Sequence, residues 1–364
     1  MHHAIGQSIQ HAKIRPYRNI IDCQTSHDAY HNLPSVGIHV GHQSLIIAHK
    51  SIGSPTACVR CKPPIQYRLG YQVTNPSMTI SNYREQAIAI AQLMRLDKPW
   101  GTVLLLWPTL WALWLASHGL PSLELIFVFL LGGIIMRACG CVMNDWFDQD
   151  IDARVRRTQT RPIVSGKIAS RSALVIAVAL ASCAATLLLF LNRQTRWLAI
   201  CGLLLTMVYP TTKRWLRCPQ LFLGMTFAWG VPMAYSACGQ TLDWACWVLY
   251  GATALWILGY DTIYAMQDLA DDRQLPIHTM PKVLNGNIDR FIIAVYGSFW
   301  LILGLYAHTI GLRWPFFVCW VVAGYLLRQQ LCTIKNQEKT VFLQAFQSNQ
   351  WVGFWLWMGI VMAQ

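Results

Sequence analysis

Asn144-Asp145-Trp146-Phe147-Asp148-Gln149-Asp150-Ile151-Asp152 follows directly on an apolar run at 125–141. The pattern recurs where the apolar run 244–266 gives way to Asp261-Thr262-Ile263-Tyr264-Ala265-Met266-Gln267-Asp268-Leu269-Ala270-Asp271-Asp272. Eight of the fourteen acidic residues downstream of Met78 sit in these two clusters. Carboxylates at the edge of a hydrocarbon layer are costly to keep, so a functional reading is the default for them.

The rest of the chain supplies that layer. Of 364 residues, 54% are hydrophobic and 12% charged, with 17 tryptophans. A soluble domain carries about twice that charged fraction. Apolar runs of about 20 residues match a hydrocarbon core of roughly 30 Å. The sequence predicts an all-α, polytopic membrane protein with about nine transmembrane helices, near 101–117, 123–143, 173–191, 197–212, 221–238, 244–266, 291–311, 314–332 and 342–363. The fourth and eighth are short in apolar residues. Trp244, Trp247, Trp314 and Trp351, with Trp100, Trp107, Trp111 and Trp114, read as interfacial anchors and packing residues.

A net charge of +13 raises the question of nucleic acid, and its distribution answers it. Counting loops on alternate sides gives 18 Lys and Arg on the side of the N-terminal flank against Arg193, Arg196 and Arg313 on the other. That asymmetry is the positive-inside signature and places the N-terminal side inside. The basic excess is topology and phosphate binding, with no nucleic-acid partner. Twelve cysteines, mostly single and within apolar runs, form no disulfide framework. The lone Cys58-x-x-Cys61 lacks the second pair a zinc site needs.

Residues 1–77 differ from all that follows, with seven Lys or Arg, two acids and eight of the eleven histidines. They read as a poorly structured extension, either an organellar targeting segment or sequence upstream of a true start at Met78. The second is preferred, because Met78 precedes a helix-like segment leading into the first span. Residues 78–364 form one membrane domain.

On a continuous helix Asp145, Asp148 and Asp152 share one face, as do Asp261, Tyr264, Asp268 and Asp272. Both clusters leave their spans on the inner side. Facing stripes of oxygen ligands suit Mg²⁺, which commonly bridges carboxylates to substrate phosphates. Asp150 and Asp271 fall off the stripes and read as solvated loop acids. Arg154, Arg156, Arg157 and Arg161, with Lys213 and Arg214 beyond Tyr209, add cations for an anionic leaving group.

These residues resemble the UbiA superfamily of intramembrane prenyltransferases, in particular the 4-hydroxybenzoate polyprenyltransferases of ubiquinone biosynthesis. Asn144, Asp145, Asp148 and Asp152 are similar to the family's N-D-x-x-D-x-x-x-D. Arg157, Arg161, Pro162, Ser165 and Gly166 are similar to its R-T-x-x-R-P-x-x-S-G. Tyr209 with Lys213, Asp268 with Asp272, the entrance at 94–99 and the tail at 345–353 complete the likeness. The resemblance implies a UbiA-type fold, helices ringed around a central cavity. It implies Mg²⁺ as cofactor, held by Asp148, Asp152, Asp268 and Asp272 with Asp145 in support. Polyprenyl diphosphate and 4-hydroxybenzoate are the implied substrates, with membrane lipid around the tail. Substrate contacts fall to Arg95 (for the acceptor carboxylate), Asn144, Arg161, Tyr209 and Tyr264, and catalytic roles to Asp261, Lys213 and Arg214. The implied location is a bacterial inner membrane, multi-pass, with the mitochondrial inner membrane as alternative.

One stretch departs from the family. Where it has G-I-K-S-T, this chain has Pro276-Ile277-His278-Thr279-Met280. A lysine that helps to bind diphosphate is thereby replaced, with Lys282 available to compensate. Three other readings are weighed: another aromatic acceptor such as homogentisate or dihydroxynaphthoate, a cation-coupled transporter, and a silent scaffold. Transport favours carboxylates strung across the bilayer, whereas here they gather at one side.

Overall fold

The computed structural model describes residues 38–40, 43–45, 80–334 and 339–364. In the N-terminal unit, β1 (Ile38–Val40) and β2 (Gln43–Leu45) pair antiparallel. The remaining expectations for residues 1–77, including Cys58 and Cys61, lie outside the described residues.

Among the described residues of the second unit the regular elements are all helices: α1 (Ile80–Leu93), α2 (Trp100–Ser117), α3 (Leu123–Phe147), α4 (Gln149–Asp152), α5 (Ser170–Leu187), α6 (Arg193–Thr212), α7 (Pro219–Ala228), α8 (Gly230–Ala237), α9 (Trp244–Ala265), α10 (Leu269–Asp272), α11 (Met280–Leu284), α12 (Ile288–Thr309), α13 (Trp314–Ile334) and α14 (Lys339–Ala363). Among them α2, α3, α12, α13 and α5 with its 3₁₀ extension to Phe190 are long and apolar enough to cross a membrane by length and composition.

Local chemistry sets the boundaries. Ser122 Oγ accepts from Leu125 N at the start of α3, Asn192 Oδ1 from Thr195 N at α6, and Asp243 Oδ1 from Ala245 N at α9; each side chain satisfies a backbone N–H that has no partner within its helix. The segment expected as one span at 221–238 is two helices. Pro232 has no N–H to offer the carbonyl of Ala228, four residues back, and the chain breaks there.

In lipid, helices associate through close packing and interhelical hydrogen bonds. The main core joins α2, α9, α12, α13 and α14 around Trp111, Trp256, Tyr260, Phe299 and Phe316. Two hydrogen bonds give the α14 tail its role: Trp111 Nε1 donates to Gly353 O at 3.0 Å, and Trp256 Nε1 to Asn349 Oδ1 at 2.9 Å. Trp111 and Trp114 are therefore core residues, whereas Trp244, Trp247, Trp314 and Trp351 lie exposed on the outside. On the other side, α7 approaches α9 so closely that a Cβ at Gly224 would lie 2.6 Å from Ala254 O.

The aspartates do not share continuous helical faces, contrary to the expectation from helical periodicity. α3 ends at Phe147 and α9 at Ala265, so neither cluster lies on one continuous helix. Asp148 (φ −95, ψ 11) and Asp268 (φ −103, ψ 0) are junction residues of matching conformation. Each opens a four-residue helix, α4 or α10, that ends on the last aspartate of its cluster, Asp152 or Asp272. The sequence shows two acid clusters. The structure shows one local device used twice.

Candidate active site

Both devices meet at a cavity of about 920 Å³. One wall is a stripe along α3 formed by Val128, Gly132, Met136, Gly140, Asn144 and Asp145 with their immediate neighbours. At 1.5 Å per residue, that stripe makes the cavity about 25 Å long. Asn144, Asp145, Asp152, Asp261, Asp268 and Asp272 all line it, joined by Arg95, Arg161, Tyr209, Lys213 and Tyr264. Of the sequence-predicted residues, Asp148 and Arg214 are not in the lining. Asp148 is fully buried, with Oδ2 accepting from Lys213 Nζ at 2.7 Å. Arg214 turns back along the fold, its Nη2 donating to Phe147 O at 2.6 Å, where it steadies the end of α3.

Basic groups are interleaved with the acids. Arg161 bridges Asp145, at 2.9 Å, and Asp152. Arg95 donates to both oxygens of Asp145, at 2.7 and 2.9 Å, and to Gln92 O at 2.8 Å. It does so from a left-handed backbone (φ 58), a conformation that costs a non-glycine residue about 1–2 kcal/mol. Arg157, following the first cluster, reaches the second: Nε donates to Asp268 Oδ1 at 2.8 Å and Nη1 to Tyr264 OH at 2.8 Å. The off-stripe acids stay apart, as expected. Asp150 is exposed, and Asp271 Oδ2 accepts from Arg156 N at 3.3 Å.

Electrostatics follow from this crowding. Burial first, and then neighbouring aspartates, push Asp152 up to about 6 despite Arg161 and Lys213. Burial and Asp268 likewise push Asp272 up to about 6. Burial works against the Lys213 charge, but Asp148, Tyr209 and Asp152 outweigh it and hold the ammonium above its usual value.

The donor set fits a hard divalent cation. It consists of carboxylate oxygens, and Asp148 Oδ1 is buried without a hydrogen-bond partner. Among the described residues no three candidate ligands converge on one point. Ions here would be completed by phosphate oxygens and water, which is how Mg²⁺ is commonly bound.

Two features escaped the sequence reading. Arg137 sits within α3 and lines the cavity, its Nε buried without a partner and its guanidinium 5.3 Å from the Phe227 ring centroid. An arginine inside an apolar run was the available signal. The second is where the side chains of the loop at 275–279 lie. His278 is exposed and absent from the lining, and only its N–H takes part, donating to Lys213 O at 2.8 Å. Lys282 does not compensate, because its Nζ is tied to Leu275 O at 3.0 Å and Ile277 O at 2.6 Å.

Comparison with known proteins places this arrangement. The profile of the UbiA prenyltransferase family matches residues 105–359. The 4-hydroxybenzoate octaprenyltransferase of Alcanivorax borkumensis is 44% identical over 270 residues, 74% of this chain and 93% of that protein. The enzyme of the same name from Coxiella burnetii is 40% identical over 282 residues, 77% of this chain and 98% of that protein. Among solved structures, a UbiA homolog from Aeropyrum pernix superposes with a TM-score of 0.63 at 22% identity, covering 71% of this chain and 97% of that one. A UbiA homolog from Archaeoglobus fulgidus bound to GPP and Mg²⁺ gives 0.58 at 14% identity, covering 75% and 99%. The fold is thus the all-α, polytopic membrane architecture of those proteins.

Proposed function

This chain belongs to the UbiA prenyltransferase family, and from its site we infer that it transfers a polyprenyl group from polyprenyl diphosphate to 4-hydroxybenzoate. The new bond forms at the ring carbon ortho to the hydroxyl, in an Mg²⁺-dependent membrane step of ubiquinone biosynthesis. The setting is a bacterial inner membrane, which the chain crosses several times. The observation that carries this reading is one cavity with a charged end, where two aspartate devices interleave with Arg161, Arg157 and Lys213, and a long apolar remainder. A diphosphate joined to a hydrocarbon chain has that same division.

Nine spans are part of the proposal, although α12 and α13 pack behind α9 and α14 and do not line the cavity. Besides the five helices that qualify by composition, α6, α9 and α14 carry polar or aromatic cavity-facing residues, and α7 with α8 is broken by Pro232. Those features lower mean hydropathy or length without removing a span.

Asp148, Asp152, Asp268 and Asp272 would hold Mg²⁺, with Asp145 in support. When bound, Mg²⁺ supplies Lewis acidity that neutralises the diphosphate as a leaving group. Lys213 and Arg161 donate hydrogen bonds to phosphate oxygens, and these strengthen as charge gathers there. The allylic C–O bond breaks with its electron pair going to the diphosphate. The acceptor ring then forms the C–C bond and loses its proton. Asp261, on the cavity wall, takes a hydrogen bond or proton from the phenol and makes the ring more nucleophilic. Asn144, Tyr209 and Tyr264 line the space where the ring sits.

The carboxylate of the acceptor is assigned to Arg137 in place of Arg95. Arg95 is engaged with Asp145 and Gln92, whereas Arg137 has a free buried Nε within electrostatic reach of Asp261. Arg214 becomes a positioning residue. A panel of 4-hydroxybenzoate, homogentisate and dihydroxynaphthoate, each with one polyprenyl diphosphate and Mg²⁺ and an EDTA control, tests the reading. Product with 4-hydroxybenzoate alone, lost in EDTA, is the expected outcome. Preference for either other acceptor would overturn the assignment.

A further inference from the structure

We propose that Tyr260 is a further acceptor-binding residue, its hydroxyl donating to the carboxylate that Arg137 takes, and that Gly101 keeps the space for that carboxylate open. This deepens the transferase reading above and rests on it.

Hydrogen bonding inside the cavity is unbalanced. Among the described residues, three that line it have a buried polar side-chain atom with no partner: Arg137 Nε, Tyr260 OH and Thr279 Oγ1. A buried donor left unpaired is costly, so each is a place where a ligand can complete the bond. Thr279 belongs to the loop between α10 and α11, beside the charged end. The other two lie on the apolar side of the aspartate corners: Arg137 on α3, eleven residues before Asp148, and Tyr260 on α9, eight before Asp268. Tyr260 is within electrostatic reach of Arg137.

Both donors are held by packing. The fully buried Tyr260 ring meets Trp256 edge-on, centroids 5.3 Å apart at 86°, and Phe346 of α14 at 5.6 Å and 73°. Arg137 Nη1 donates to Cys141 Sγ at 2.6 Å. On α2, a Cβ at Gly101 would lie 2.6 Å from Arg137 Nη2, 3.3 Å from Nε and 3.4 Å from Cζ. Those distances put the Cβ in the plane of the guanidinium, in front of the edge formed by Nε and Nη2. A carboxylate binds such an edge through two parallel hydrogen bonds. Glycine at 101 leaves that place empty, and Gly101 itself lines the cavity.

The occupant follows from chemistry. The diphosphate is taken at the aspartate end, the prenyl chain has no hydrogen-bonding atom, and the phenol is assigned to Asp261. Of the groups the two substrates bring, the acceptor carboxylate is the one left. It matches a forked cation, and a neutral hydroxyl adds a further donor without a second buried charge.

The test measures kcat and KM for both substrates with the full chain in proteoliposomes. Inhibition by 4-methylbenzoate, which keeps the carboxylate and lacks the phenol, is measured alongside. Tyr260→Phe and Gly101→Ala are compared with Tyr296→Phe, whose hydroxyl donates to Gln330 Oε1 at 3.2 Å away from the cavity lining. For Tyr260→Phe, KM for 4-hydroxybenzoate and Ki for 4-methylbenzoate should both rise about tenfold or more, and KM for polyprenyl diphosphate should stay within about twofold. The melting temperature should not fall, since the lost hydroxyl had no partner. Gly101→Ala should behave the same way, because only the guanidinium tip has to give way and alanine suits a helix. Tyr296→Phe should do the reverse, lowering the melting temperature and leaving KM and Ki unchanged. An unchanged acceptor KM in Tyr260→Phe, a rise shared by the donor, or a rise in KM without one in Ki would overturn the assignment of Tyr260. So would a failure of 4-methylbenzoate to inhibit the unsubstituted protein. An unchanged acceptor KM in Gly101→Ala would overturn the role of Gly101. No turnover of 4-hydroxybenzoate by the unsubstituted protein would instead overturn the transferase reading.

Discussion

The guanidinium of Arg157 grips the carboxylate of Asp268, with Nε to Oδ1 at 2.8 Å and Nη2 to Oδ2 at 2.5 Å, across 111 residues of chain. This contact ties the loop after the first aspartate device to the second device, and it sets their spacing over the cavity. Only a planar, forked cation makes both bonds at once. Arg157→Lys should therefore lower turnover about tenfold to a hundredfold and raise KM for the donor. Steady-state kinetics with varied polyprenyl diphosphate would check this. Unchanged kinetics would reduce the pair to a surface contact.

The raised carboxyls give a pH signature. Asp152 and Asp272 both lie near 6, above the ordinary aspartate value, mainly because they are buried. A carboxyl raised on folding stabilises the fold below its unfolded pKa of about 4, and that stability is lost as pH rises through about 6. Without added Mg²⁺ the melting temperature should fall between about pH 5 and pH 7.5, and added Mg²⁺ should restore more at the higher pH, where no proton competes. Thermal unfolding in detergent at both pH values would show this. Parallel pH curves with and without Mg²⁺ would contradict it.

Arg137 should separate stability from binding. Its buried Nε has no partner and its Nη1 donates only to Cys141 Sγ, at 2.6 Å, so Arg137→Met removes a charge with no acidic hydrogen-bond partner and should leave the melting temperature unchanged or higher. The same change should raise KM for 4-hydroxybenzoate about tenfold or more, and far less for the donor. A variant that loses stability and keeps its acceptor KM would make Arg137 structural.

The departure at 276–280 should be nearly silent. His278 points away from the cavity, and a lysine there remains a solvated surface charge. His278→Lys should shift donor KM by less than about twofold. Lys282→Ala should do more, because it releases two loop carbonyls, and faster amide exchange at 275–279 would report it.

Much of this was legible in the sequence because polarity is expensive in lipid. Asp145, Asp152, Asp268 and Asp272 stood out against apolar runs, and Lys213 and Arg161 against their span ends. The break at Pro232 and the ends of α3 and α9 were less visible, since periodicity alone carries a helix through a junction. The helical phase put Asp148 and Asp268 on long stripes, whereas hydrogen bonding puts them at corners. Arg137 lies inside an apolar run, where the loop asymmetry that marks most of the other cations carries no information. The pairing of Arg157 with Asp268 depends on tertiary folding that local pattern does not contain.

Asp148 and Asp268 are the matched corners of the proposed metal-diphosphate site. The most direct measurement is turnover of 4-hydroxybenzoate and polyprenyl diphosphate by Asp148→Asn and Asp268→Asn, in Mg²⁺-supplied membranes at matched expression. Each variant should lose about a thousandfold or more in rate while keeping its fold. Turnover near that of the unsubstituted protein in either variant would contradict the account.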